Sequence, residues 1–411
     1  MTEIRLCISV NKALRFNKSI TKEGILFFLI PLIFAFTSCK KAAVNPGTPA
    51  LPAAKVFYAA DKFVMGADLS SVNGVQDNGG IYKDSETIRD PYAIFKNHGA
   101  NTIRVRLWNN PQWLAAYNNG KIYSDINDVE KTIQRAKAAG MAVSLDLHYS
   151  DEWADPGNQT IPAAWSALSL STLKDSVYQF TLNTLNELKN KNLIPEFIQV
   201  GNETNQGMLF PIGKVVNEDW TAFGVLLKSG IKAVRDFSAT AVTRPQIILH
   251  VAEPENADYF ANGVINKAGV TDFDILGISY YYVWSTIASL GQVSSMISSL
   301  KSKYNKKIMI VETAYSWTAQ YADSYNNVIA GTSSFSGYDI SKDGQYKYIK
   351  DLTQQVIAGG GAGIIYWEPA WISSALQDKW GTGSSWENNT FFDFSGNTLP
   401  CIDFMTYTYQ F

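Results

Sequence analysis

The sequence predicts an α/β chain folded as a single (β/α)8 TIM barrel, and three observations carry that expectation. Eight short apolar pulses recur along residues 59–411, separated by spacers long enough to hold a helix. Hairpin signals do not separate them, so the strands are expected to run parallel with crossover helices. Two glutamates, Glu203 after the run Phe197 to Gly201 and Glu312 after Ile308 to Val311, each stand where a buried strand meets a loop. That rim, at the carboxyl ends of the strands, is where such barrels carry their chemistry. A doubly wound open sheet is the competing architecture, but it would place G-x-G-x-x-G after the first strand, and VMGADLSSV is not followed by it.

The chain opens differently. Residues 1–24 hold Arg5, Lys12, Arg15, Lys18 and Lys22 against Glu3 and Glu23, ahead of the apolar run Ile25 to Phe36. This is the layout of a signal peptide, too short for a membrane span, and the charged part is long enough that the true start could lie after Met1. Phe36-Thr37-Ser38-Cys39 resembles the bacterial lipobox, which makes Cys39 the expected lipidation site; an unlipidated cleavage site is the alternative. Residues 1–38 are thus read as a lipoprotein signal peptide. Residues 39–58, rich in Ala, Pro and Gly, are read as a flexible tether. Lys40 stands where inner-membrane lipoproteins carry aspartate, so the resemblance favours the outer membrane, on its cell-surface or periplasmic face.

Cleavage after residue 38 removes five basic and two acidic residues and leaves 30 against 35, so nothing basic remains to hold nucleic acid. Cys7 is removed and Cys39 acylated, which leaves Cys401 without a disulfide partner in the chain. Stability must then come from the core, and about 350 residues from Ala59 onward suffice for one barrel, expected as a monomer.

The strands are expected, in order, at Phe63–Leu69, Thr102–Trp108, Ala142–His148, Phe197–Glu203, Gln246–Ala252, Asp274–Tyr281, Lys307–Glu312 and Gly363–Trp367. Helical patterns lie between them, as at Asp125–Ala139 and Leu173–Lys191. Residues two apart share a face of a strand, so TIRVRLW turns Arg104, Arg106 and Trp108 one way, into the barrel. Buried arginines need anions. For Arg106 a structural ion pair and a functional one stay equally open; for Arg104 the functional reading is favoured, because Glu312 needs a cation to stay ionised. The same parity turns Asp146 and His148 inward, and the polar, aromatic run SDEWADPGNQ that follows His148, with Asp155 in it, has the character of a sugar site.

Glu203 and Glu312, three βα units apart, face each other across the barrel mouth. Two carboxyls so placed point to glycoside hydrolysis, one as acid and one as nucleophile. Glu368 is the rival, ranked below Glu312 because alternation turns Trp367 inward and Glu368 outward. Tryptophans 108, 153, 284, 317, 367, 371, 380 and 386 fall at strand ends or in the loops that follow, where flat rings can stack on pyranose faces, and Trp367 is the one placed under the central sugar.

The runs GADLSSV (66–72), NTIRVRLWNNP (101–111), HYSDEWADPGNQTIPAAW (148–165), VGNETNQGML (200–209), ETAYSW (312–317) and YWEPAW (366–371) together resemble the family 53 glycoside hydrolases of clan A, the arabinogalactan endo-β-1,4-galactanases, in a bacterial lipoprotein form. The resemblance implies a retaining enzyme acting on β-1,4-galactan, with Glu203 as acid/base, Glu312 as nucleophile and Asn202 bonding the sugar 2-hydroxyl. It also places Arg104, His148 and Tyr280 or Tyr281, parity favouring Tyr281, around the nucleophile and the lowest subsite, with Trp367 and Asp155 as further substrate contacts. No cofactor is required. Some relatives bind calcium after the seventh strand; here that stretch offers Asp323, Asn326 and Asn327 without a second carboxylate or a histidine, so calcium is not expected. Another β-linked polysaccharide as substrate, a glycan-capturing lipoprotein without catalysis, and a purely structural barrel are the alternatives.

Overall fold

The computed structural model describes residues 63–411, so the expected signal peptide and tether lie outside the described residues. The eight expected strands are present and close into one parallel barrel. They are β1 (Val64–Asp68), β2 (Thr102–Leu107), β3 (Ala142–Leu147), β4 (Phe197–Val200), β5 (Gln246–Ala252), β6 (Ile275–Tyr280), β7 (Lys307–Thr313) and β8 (Gly363–Tyr366). Each pairs with the next in sequence, and β8 pairs back onto β1 with Val64 opposite Gly363. Helices α1 (Val72–Asp77) and α2 (Pro91–Asn97) follow β1, and α3 (Ile126–Ala138), α4 (Leu170–Asn190), α5 (Thr221–Ser238), α6 (Pro254–Asn262), α7 (Leu290–Tyr304) and α8 (Lys342–Ala358) follow β2 to β7. A 3₁₀ segment, Pro400–Thr406, takes the place of a helix after β8 and packs on α8.

The helices form where the pattern says they should. In α3, Val129, Ile133 and Ala136 share one buried face, the Asp125 side chain caps the start by accepting the Asp128 N–H, and Arg135 and Lys137 occupy the last turn, where cations suit the helix dipole. Helix α4 starts at Leu170, a turn before the expected Leu173, because extended Ser169 already supplies the carbonyl that accepts the N–H groups of Thr172 and Leu173.

Inside the barrel the strands separate two chemistries. Val64, Phe197, Ile248, Ile275, Met309, Val311 and Ile365 form an apolar plug at the amino-end half. Further along the strands the inward positions become Asp68, Arg104, Asp146, Gln199, His250 and Ser279, all buried. The plug keeps water from below, so the polar layer sits where charge interactions are much stronger than in water.

Three strand ends depart from the regular reading, and each re-aims a glutamate. Strand β4 stops at Val200, not Glu203, because Gly201 takes φ +84° and turns the chain. A Cβ there would meet the Thr204 methyl at 2.7 Å. In β7 the pairing with β6 skips Val311: Ile278 faces Ile310, while Ser279 faces Glu312. With Met309 and Val311 both in the plug, alternation alone would send Glu312 outward; this bulge turns it in. Strand β8 ends at Tyr366, and Glu368 follows with φ +45°, so the expectation that it tends outward fails. The side chain is fully buried and ion-paired to Arg106, since alternation does not continue past the last ladder residue.

Candidate active site

The pair of glutamates meets at the floor of a cleft of about 590 Å³ on the carboxyl-end rim. A carboxylate oxygen of Glu203 lies within 4.8 Å of one of Glu312. Glu203 holds φ +46°, a left-handed conformation uncommon for a residue with a Cβ, and backbone of this kind is concentrated at working sites. Its Oε1 accepts the Ser279 hydroxyl at 2.6 Å, and its backbone N–H donates to His250 Nδ1 at 3.2 Å.

Glu312 is surrounded by donors. Arg104 Nη2 lies 2.8 Å from its Oε1, and the Tyr281 hydroxyl donates to Oε2 at 2.9 Å. Arg104 is itself almost fully enclosed, with Asp68 at 2.8 Å, Asp146 at 2.9 Å and Asn202 Oδ1 at 3.0 Å. Burial works against its charge, but Asp146, Glu312 and Asp68 outweigh it and hold the guanidinium pKa above its usual value. Burial would also raise Asp146, yet Arg104 and then His148 hold it below the ordinary carboxylate range.

The two glutamates are therefore not equivalent. Burial and then the neighbouring Glu312 charge push Glu203 well above the usual glutamate value, with the Ser279 bond opposing. Burial raises Glu312 too, to about 7 on balance, while Arg104 draws it back first, then Tyr281 after the repulsion of Asp146 and Asp68. Coupled carboxyls share their protons, and the cation beside Glu312 assigns the charge to Glu312 and the proton to Glu203.

The structure brings the other expected residues to the same place. Arg104, His148, Asn202, Tyr281, Trp367 and Asp155 all line the cleft. His148 donates from Nε2 to Asp146 at 3.0 Å and receives the Ala154 N–H at Nδ1, so the carboxylate it contacts is Asp146. Asn202 donates to the Ala154 carbonyl at 2.8 Å. Asp155 lines the cleft while its Oδ1 accepts the Gly157 and Asn158 N–H groups. Tyr281 is the sixth-strand tyrosine that reaches Glu312, as parity favoured.

Of the eight tryptophans named above, Trp153, Trp284, Trp367, Trp371, Trp380 and Trp386 line the cleft. Trp367 stands edge-on to Trp386 at 4.6 Å, and the Arg106 guanidinium lies 4.2 Å from the Trp153 ring centre. Trp108 packs with Leu114 and Tyr123 outside it, and Trp317 donates to the Glu387 carbonyl. Arg106 also lines the cleft, and behind it pairs with buried Glu368, whose Oε1 accepts the Ser71 hydroxyl as well.

Sequence reading missed Asp68, Gln199, His250 and Ser279. Parity would have found Ser279, two residues before Tyr281, and Gln199, two after Phe197. His250 carried the weaker signal of a lone imidazole in the apolar run QIILHVA.

In the stretch Asp323–Asn327 the one carboxylate is engaged by protein donors. Asp323 Oδ1 accepts the Tyr325 N–H, and Oδ2 accepts the Ser373 hydroxyl at 2.5 Å and the Ser384 N–H at 2.9 Å. Asn326 lines the cleft, and Asn327 Nδ2 donates to Glu387 Oε1 at 3.2 Å.

Known proteins resemble this chain in sequence and in fold. The pattern defining glycosyl hydrolase family 53 matches residues 64–405. An arabinogalactan endo-beta-1,4-galactanase of Cellvibrio japonicus is 42% identical over 353 residues, covering 85% of this chain and 92% of its own. An endo-beta-1,4-galactanase of Bacillus subtilis is 33% identical over 384 residues, covering 84% and 86%. Among solved structures, the family 53 catalytic domain of Ignisphaera aggregans superposes with a TM-score of 0.77 at 34% identity, covering 89% of this chain and 98% of that one.

Proposed function

The chain belongs to glycosyl hydrolase family 53, and from that premise we propose that it is an endo-acting, retaining hydrolase of β-1,4-galactosidic bonds in galactan and type I arabinogalactan. The observation that carries the stereochemistry is the approach of Glu203 and Glu312 within 4.8 Å. Retaining enzymes hold their carboxyls about 5 to 5.5 Å apart, whereas inverting ones need roughly 6.5 to 9.5 Å to admit a water.

In the first step protonated Glu203 gives its proton to the glycosidic oxygen as the Glu312 carboxylate attacks C1, so the aglycone leaves as an alcohol and a galactosyl ester forms on Glu312. In the second, Glu203, now a carboxylate, takes a proton from water, which attacks C1 and releases Glu312. Arg104 and Tyr281 hold Glu312 ionised and oriented. Asn202 is assigned to the sugar 2-hydroxyl, and Trp367 to the apolar face of the ring at the cleavage point. Both steps pass protons and one ester between carboxyls, so the proposal includes no cofactor.

The soluble domain from Ala59 onward should release short galacto-oligosaccharides from linear β-1,4-galactan and leave mannan, xylan and cellulose intact. Activity on one of those three and none on galactan would overturn the substrate while keeping the carboxyl pair; silence on all four would overturn catalysis.

We also propose that residues 1–38 are a lipoprotein signal, that Cys39 is acylated, and that a monomeric barrel is tethered to the outer membrane through residues 39–58. Cys39→Ala should move the protein from the membrane fraction to the soluble one, and that soluble form should sediment at the mass of one chain. An unchanged membrane fraction would remove the anchor.

A further inference from the structure

We infer that His250 and Ser279 form a relay that fixes which oxygen of Glu203 can carry the transferable proton, an inference that rests on reading Glu203 as the acid/base. Both residues sit on barrel strands, His250 on β5 and Ser279 on β6, and both are buried beneath the site.

The direction of every proton in the relay follows from one unambiguous donor. The Glu203 backbone N–H points to His250 Nδ1 at 3.2 Å, so Nδ1 must offer a lone pair. Gln199 Nε2 approaches the same atom at 3.0 Å, also as a donor. Asn202 Oδ1, another neighbour of Nδ1 at 3.0 Å, is already served by Arg104 and Gln199. The imidazole is thus neutral with its proton on Nε2, in line with burial, and then Arg104, driving its pKa well below the usual value. Nε2 donates to Ser279 Oγ at 2.8 Å, and the serine proton finds its acceptor in Glu203 Oε1 at 2.6 Å.

With a proton on Oε1, Ser279 could accept it only through its second lone pair, and the serine's own proton would then lose the one acceptor it has among the described residues. The transferable proton therefore sits on Oε2, which has no hydrogen-bond partner among the described residues. His250 and Ser279 are positioning residues: they hold the acid through Oε1 and leave the other oxygen for the leaving group. Other charged or titratable groups around Glu203 come from every side. They are Arg104 and Arg106 on β2, Asp146 on β3 with His148 and Asp155 after it, Glu253 after β5, Tyr281 after β6, Glu312 on β7 and Tyr325 after it. None of them can replace the serine bond to Oε1.

The test is the pH profile of kcat/KM on galactan, whose basic limb reports the free-enzyme acid. Ser279→Ala should move that limb up by about half a unit to one unit, since a hydrogen bond to the charged form is lost, and leave the acidic limb in place. His250→Asn keeps an acceptor near Nδ1 but loses the Nε2 donor, and should shift the limb the same way. His250→Gln places an N–H near the Nε2 position and should restore it. Basic limbs of Ser279→Ala and His250→Asn that coincide with the parent limb would overturn the relay. If His250→Asn does not fold, Ser279→Ala decides alone. Glu203→Ala on an aryl galactoside with a good leaving group separates the two levels of argument. A basic limb that persists there belongs to another group and removes the underlying assignment, whereas its disappearance together with an unmoved Ser279→Ala limb removes only the relay.

Discussion

Glu312→Ala is expected to abolish hydrolysis of every substrate, good leaving group or not, with a loss on the order of 10⁵-fold in kcat, about 7 kcal/mol of transition-state stabilisation. The reason lies in the bulge at Val311. It spends one residue to point Glu312 at the site, where Arg104 and Tyr281 keep it charged and fixed, and alanine leaves those donors aimed at nothing. Glu203→Ala should behave differently. On galactan it should lose roughly 10² to 10⁴-fold, because an alkoxide cannot leave unprotonated. On an aryl galactoside the first step should run near the parent rate, and the galactosyl ester should then accumulate for want of a base. Azide sharpens the distinction. In Glu203→Ala it can replace the water and yield the β-azide; in Glu312→Ala it can occupy the vacated face and yield the α-azide. Equal residual activity of the two variants on the aryl substrate, or the same azide anomer from both, would sink the assignment of roles.

How far the sequence alone could reach is visible in these same residues. The barrel was legible because its strands are buried on both faces and read as continuous apolar runs. The polar face of TIRVRLW was legible because β2 is regular over its whole length. Strand ends were not. The turn at Gly201, the bulge at Val311 and the left-handed Glu368 each break the period of two on which a parity argument rests, so Glu368 was aimed the wrong way. Glu312 was aimed correctly by its place on the rim, not by alternation. His250 was hidden for another reason: its role depends on a serine from the next strand and a backbone N–H from the previous loop, contacts that only the closed barrel assembles.

Arg104→Met should cost both stability and catalysis, and the form of the loss matters more than its size. The guanidinium faces three buried carboxylates, Asp68, Asp146 and Glu312, and methionine fills similar space without charge. Removing one partner of a buried ion cluster costs about 3 to 5 kcal/mol, because the other charges stay behind unpaired. For a domain of this size that is a fall in Tm of about 4 to 7 °C. Asp146, held below its ordinary value in the parent protein, adds stability above its unfolded pKa that is lost as pH falls through its folded one. In the variant the abandoned carboxylates are raised, so the folded state must take up protons that the unfolded chain does not. That penalty is small near pH 4, grows as pH rises toward the raised values and levels off above them. The gap in Tm between parent and variant should therefore widen from pH 4.5 to pH 8, and the acidic limb of any remaining activity should move up, since Glu312 has lost its cation. Arg104→Lys should fall between the two, because one ammonium cannot meet Asp68, Asp146, Asn202 and Glu312 together. A gap that stays constant across this range, or widens as pH falls, would mean that Arg104 acts by packing alone and that the charge of Glu312 is set elsewhere.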